Sequence, residues 1–288
     1  MKKIWYTLPL TVLAFTLIFT VIGCNKEDEI ITPEEQSVDK EAIVENNFSS
    51  LGKIITDAAS DAIYRSNGTP PPGTGCPSII DSANRFLALY FGEVPGCVSV
   101  IDGVRRSGSY EVSYNIFPSS DSTYCSIKFI DFRIWKTTSN ADTNFVKIQT
   151  GTIYFSIKKT GSSSYNLRAR GEVLLINQSG DFKEVYLDSL NGTVNSAAPN
   201  NTDDDSFLLY GGQRMKDNKL NITYSLHTPS STPLNFVSTC KFPLSGIMEI
   251  TNVGGKCDFS PNGNACDGIV KISKGSTTKE IDLSNINF

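Results

Sequence analysis

Apolar positions fall into four successive patterns along this chain. Ile4 to Ile22 is an almost unbroken apolar run, and Asn25 to about Lys40 is acidic and poor in aromatics, the composition of a flexible tether. In EAIVENNFSSLGKIITDAASDAIY the residues Val44, Phe48, Leu51, Ile55, Ala59 and Ala62 recur at spacings of three and four, which predicts a helix over 41–66. Asn67-Gly68 and the Pro70-Pro71-Pro72-Gly73 run end it. The stripe is modest and Ala-rich, so the helix is expected to pack on the edge or mouth of the domain that follows.

Beyond Gly75 the period changes from helical to two. Tyr110, Val112, Tyr114 and Ile116 alternate with polar residues, as do Ile153, Phe155 and Ile157, and Ile222, Tyr224 and Leu226. Such alternation predicts sheets with one wet face. In CSIKFIDFRIWK the phase slips, with Ile127 and Phe129 on one parity and Ile130, Phe132 and Ile134 on the other; a β-bulge near Phe129 and Ile130 would keep both sets on the core side. Turns are expected at GSSS (161–164), NG (191–192) and NNTDDDS (200–206). No helical crossover separates the strands, so the predicted fold is mainly β over 76–288: curved antiparallel sheet, sandwich or open-barrel-like, in one unit or two subdomains, preceded by the helix.

The ends of the first pattern carry chemistry. Lys2 and Lys3 precede the apolar run, as in an export signal, and the run stops at Val21-Ile22-Gly23-Cys24. An uncleaved span would have a similar length, but this ending resembles the lipobox of bacterial lipoproteins. The resemblance implies cleavage after Gly23 (signal peptide 1–23), a diacylglycerol thioether on Cys24, and acylation of its new amine, with palmitate or a similar chain. At about 0.8 kcal/mol per buried methylene, two or three chains would anchor the protein effectively permanently. Lys26, Glu27, Asp28 and Glu29 resemble the surface-export signal of Bacteroidota lipoproteins; the expectation is a lipid-anchored outer-membrane protein displayed at the cell surface, with a periplasm-facing site as the alternative.

The 288 residues carry 26 basic and 30 acidic side chains; without the leader's two lysines the balance is 24 to 30, a net charge of −6. This mildly acidic chain lacks the basic field that nucleic acid requires, so nucleic acid is not an expected partner.

Six further cysteines, Cys76, Cys97, Cys125, Cys240, Cys257 and Cys266, are an even number in an exported chain, which favours disulfides but allows 15 connectivities. A faint internal echo offers one pairing. Each of Cys76 and Cys240 precedes an apolar strand, a Gly-containing turn, a further Cys and an Asp-Gly that leads into a strand. Hairpins closed at the same place would pair Cys76 with Cys97, Cys240 with Cys266, and by remainder Cys125 with Cys257; a tight Cys257–Cys266 loop is the competitor. With no CxxC and His227 as the sole histidine, no metal site or cofactor is expected. FGEVPGCVSVIDGVRRSGSYEVSY and PLSGIMEITNVGGKCDFSPNGNACDGIVKIS resemble segments of hypothetical Bacteroidota lipoproteins. That resemblance implies β-rich architecture and surface anchoring, and carries no activity with it.

Catalytic constellations are sparse. His227 alternates with core positions and reads as solvent-facing, and no GxSxG elbow accompanies it. Asp258, Ser260, Asn262 and Gly263 begin like a calcium loop, but the twelfth position is Ile269, so an Asn-Gly turn is expected. A glycosidase needs facing carboxylates about 5–10 Å apart, and Asp131 and Glu172 are the candidates. Glycan binding would draw on Trp135, the one tryptophan outside the leader and the candidate ligand contact; Tyr110 and Tyr114 read as core. Ser82, Ser122 and Ser189 follow Asp residues in a pattern resembling the O-glycosylation acceptor of this phylum. The leading expectation is a non-enzymatic envelope protein, bound to membrane lipid through Cys24, with a binding or structural role toward an envelope protein or glycan. Alternatives are a glycan-binding accessory lipoprotein and a glycoside hydrolase.

Overall fold

The computed structural model describes residues 33–66, 76–82, 86–99, 103–116, 122–135, 145–196, 205–263 and 265–285. Residues 1–32, Cys24 and Lys26–Glu29 among them, lie outside these. One helix, α1 (Pro33–Ser66), opens the described chain. It starts within the segment assigned to the tether. Pro33 followed by Glu34 and Glu35 explains the early start, because proline loses no needed donor in the first turn and acids there meet the positive end of the helix dipole.

Fifteen strands follow among the described residues: β1 (Ser78–Ser82), β2 (Phe86–Tyr90), β3 (Cys97–Val98), β4 (Arg105–Ile116), β5 (Ser122–Trp135), β6 (Phe145–Lys159), β7 (Ser164–Asn177), β8 (Phe182–Asn195), β9 (Ser206–Asp217), β10 (Ile222–Thr228), β11 (Leu234–Val237), β12 (Ile247–Ile250), β13 (Gly255–Asp258), β14 (Ile269–Lys274) and β15 (Thr277–Asp282). All belong to one antiparallel sheet, ordered β1-β2-β4-β5-β6-β7-β8-β9-β10-β12-β13-β14-β15, with β3 on β4 and β11 on β9. The sheet is not closed. The fold is therefore mainly β, as the alternation predicts, and of the open curved kind rather than two packed sheets.

The helix position departs from expectation. Residues 46–49 and 51–56 are consecutively buried, and since 3.6 residues complete a turn, α1 is enclosed on every side. It packs against β4, β5 and β6 and also against β13, β14 and β15. Thus α1 lies inside the curved sheet and fills its trough, instead of resting on an edge or mouth. Small polar residues make this possible: Ser60 Oγ donates to the buried Asp205 at 2.5 Å, and Thr56 Oγ1 donates to the Lys53 carbonyl at 2.9 Å. Lys53 is itself buried, its Nζ donating to Asp57 and, at 2.8 Å, to the Ser238 carbonyl. At Gly52 a Cβ would sit 2.8 Å from the Phe236 ring, so glycine lets the helix approach β11 closely.

The inward rows follow the period-two reading. Tyr110, Val112, Tyr114, Ile153, Phe155, Ile157, Tyr224 and Leu226 are buried, while Ile222 at the start of β10 is exposed. The phase slip is a bulge, one residue later than expected. Between β4 and β5 the register shifts at Ser107/Ser109, and Asp131 adopts φ 50°. Phe129, Phe132 and Ile134 point inward, but Ile130 is 42% exposed, so the extra residue turns Ile130 and Asp131 outward together. Opposite stands Gly108 at φ 76°, where a Cβ would lie 2.3 Å from the Asp131 carbonyl oxygen. Asn191-Gly192 is no turn: it lies within β8, where Gly192 packs under Leu209.

Two of the three expected disulfides are present. Cys76 and Cys97 are bridged at a Cα separation of 5.9 Å, and Cys240 and Cys266 at 5.5 Å. No bridge is formed between the remainder pair, Cys125 and Cys257. Both are buried on inward positions of β5 and β13.

Candidate functional site

The most developed surface feature lies on the outer face of β6, β7 and β8. Register shifts at Ile148/Thr150, Ala169/Gly171 and Leu187/Ser189 fall on neighbouring strands, and bulges sharpen the local twist. A Cβ at Gly171 would lie 2.4 Å from the Thr152 carbonyl oxygen, so β6 and β7 meet here without an intervening side chain. The result is a recess of about 650 Å³ bordered by Thr152, Tyr154, Arg170, Glu172, Tyr186 and Asp188.

Cross-strand pairing sets its layout. Tyr154 stands opposite Arg170, Thr152 opposite Glu172, Glu172 opposite Tyr186, and Tyr186 opposite Arg214. One wall is fully engaged. Arg214 makes a fork to Asp188, Nε to Oδ2 and Nη2 to Oδ1, both 2.7 Å, and its guanidinium lies 5.1 Å from the centre of the Tyr186 ring. The Tyr186 hydroxyl donates to Glu184 at 2.6 Å, and Asn218 donates to the same carboxylate at 3.1 Å. The Glu184 bond drives the Tyr186 phenol up to about 12 and holds the Glu184 carboxyl below its ordinary range. The other side is open: Tyr154 is 53% exposed, and Arg170 and Glu172 are exposed with no hydrogen bond or ion pair among the described residues.

The residues singled out from sequence are dispersed. Trp135 is buried at 3% exposure with its ring 5.4 Å from that of Phe145, so it is no ligand contact. Tyr110 and Tyr114 are core, and His227 is exposed on β10. Asp131 is exposed at the bulge and bound by Lys147 at 2.5 Å and Arg133 at 3.3 Å; the Lys147 bond above all holds its carboxyl below the usual range, the wrong direction for a general acid. Glu172 shares its cross-strand row with Lys128, two strands away, and Asp131 lies three residues beyond Lys128. At about 3.3 Å per residue and about 4.8 Å per strand their backbones are roughly 14 Å apart, so they do not converge. Glu172 and Asp188 do share the recess, but Asp188 spends both oxygens on Arg214.

The expected turn at 258–268 is present: Asp258 accepts from the Ser260 amide at 2.9 Å and Asp267 from Asn262 at 3.0 Å. Among the described residues no cluster of His, Cys, Asp or Glu could hold a metal ion, and no helix is long and apolar enough to cross a membrane. Ser189 is exposed in β8 and Ser122 half-buried at the start of β5; the Ser82 side chain lies outside the described set. Tyr154, Arg170, Tyr186 and Arg214 had no sequence signal of their own. Only the pairing register brings them to one face.

No protein-family model, curated protein or solved structure matches this chain.

Proposed function

We propose that this chain is an envelope protein held at the outer membrane surface by lipid on Cys24, and that its β-body works by binding rather than by catalysis. The anchoring reading rests on Val21-Ile22-Gly23-Cys24 and the Lys26–Glu29 run. The observation that carries the binding reading is the outer recess, where one wall is fixed by the Asp188–Arg214–Tyr186–Glu184 network while Tyr154, Arg170 and Glu172 stay open to solvent. A rigid wall beside unengaged groups suits recognition, since little ordering is needed on binding.

Fractionation of cells carrying the native chain, Cys24→Ser, or alanine at Lys26 to Glu29 tests the anchor. The native chain should sediment with the outer membrane, be cut by protease added to intact cells, and yield a first mature peptide beginning at an acylated Cys24. Cys24→Ser should leave the membrane, and the alanine variant should stay membrane-bound but become protease-resistant. Native protein that keeps its first 23 residues, or a Cys24→Ser protein that sediments unchanged, refutes the anchor.

A further inference from the structure

We infer that the recess on β6, β7 and β8 takes a neutral saccharide, with a sugar ring laid on Tyr154 and its hydroxyls shared between Arg170 and Glu172; this deepens the binding reading above and depends on it.

Three observations converge on that chemistry. First, the open groups are one cation and one anion on the same strand, Arg170 and Glu172, two residues and so about 7 Å apart. They face the same side without pairing with each other. A ligand with net charge would gain from one and be repelled by the other, whereas a polyol meets both, because each hydroxyl donates to a carboxylate or accepts from a guanidinium. Second, the one exposed ring in the recess is Tyr154, with only half-buried Leu174 and Tyr186 adding apolar surface beside the polar groups. That suits a small disc with one apolar C–H face and a polar rim, and is too little for the apolar stripe of a docking helix. Third, β6, β7 and β8 are interior strands paired on both sides. An extended peptide gains its main-chain bonds at a free sheet edge, and none exists at this recess. The volume, about 650 Å³, falls within the ordinary range for small-ligand sites.

The test uses the full chain in detergent against an array of neutral oligosaccharides of glucose, mannose, galactose and xylose, followed by calorimetric titration with the best binder. The native protein should bind at least one of them. Tyr154→Ala, Arg170→Ala and Glu172→Gln should each weaken binding about tenfold without lowering Tm. Tyr124→Ala, on an exposed tyrosine of the same face outside the recess, should leave it unchanged. A blank array, or binding that survives all three recess substitutions, overturns the saccharide. Retention of a synthetic peptide pool that is lost in Tyr154→Ala also overturns it, in favour of a peptide ligand. Membrane partition is read on the same preparations: a blank array with anchoring intact removes the saccharide alone, while the Cys24→Ser result judges the anchor independently.

Discussion

Lys53→Met tests whether α1 runs inside the sheet, because the two placements predict different magnitudes. On an exposed helix the Lys53–Asp57 pair would be an i,i+4 ion pair worth about 0.3–0.5 kcal/mol. In the structure Lys53 is 2% exposed and its Nζ also serves the Ser238 carbonyl at 2.8 Å. Methionine keeps most of the volume, so the loss is chiefly polar: a charge-assisted bond of about 1.5–3 kcal/mol and a buried carbonyl left without its donor. Asp57 is 30% exposed and stays within reach of water, and the desolvation of Lys53 is recovered. These offsets bring the expected cost to about 2–3 kcal/mol. With an m-value near 3 kcal/mol/M for a chain of this size, the urea midpoint should fall by roughly 0.7–1 M. Far-UV circular dichroism during urea titration reads it, with Lys40→Met, at an exposed residue of the same helix, as the control. If Lys53→Met moves the midpoint no more than Lys40→Met does, the enclosed helix is refuted.

Two further outcomes are expected. Non-reducing peptide mapping should recover Cys76–Cys97 and Cys240–Cys266 crosslinks; a Cys257–Cys266 crosslink in their place would contradict the fold. Because the folded Asp131 carboxyl sits below its ordinary value of 3.8, chiefly through Lys147, its stabilisation is complete above that value and is lost as pH falls through the folded one. Thermal melts of the native protein and Asp131→Asn should therefore differ at about pH 5 and converge by about pH 2; a gap constant with pH would show that the ion pairs contribute nothing.

The alternation of Tyr110 to Tyr114 and of Ile153 to Ile157 was enough to read the sheet, and the phase slip at Phe129 and Ile130 was enough to read a bulge. The sense of the slip was not legible, since Ile130 and Asp131 compete for the outward position and only the cross-strand partner Gly108 decides between them. The helix was legible as a helix but not as a core element. A helix packed on all sides is expected to be apolar all round, and α1 hides its burial behind Asn46, Asn47, Ser49, Thr56 and Ser60. Those residues need little space, and some bond back to the helix: Asn47 donates to the Ile43 carbonyl at 2.8 Å. The recess was least legible. Its members are spread over four strands and meet through register shifts that periodicity does not specify.

Since the open sheet curves around a helix that precedes all of its described strands, biosynthesis and assembly run out of step. Among the described elements α1 is made first, yet it packs against β13 to β15, the last strands made. At roughly 5–20 residues per second, that partner arrives on the order of ten to forty seconds later. Until then the apolar residues of α1, Phe48, Leu51 and Ile55 among them, lack part of the packing that buries them.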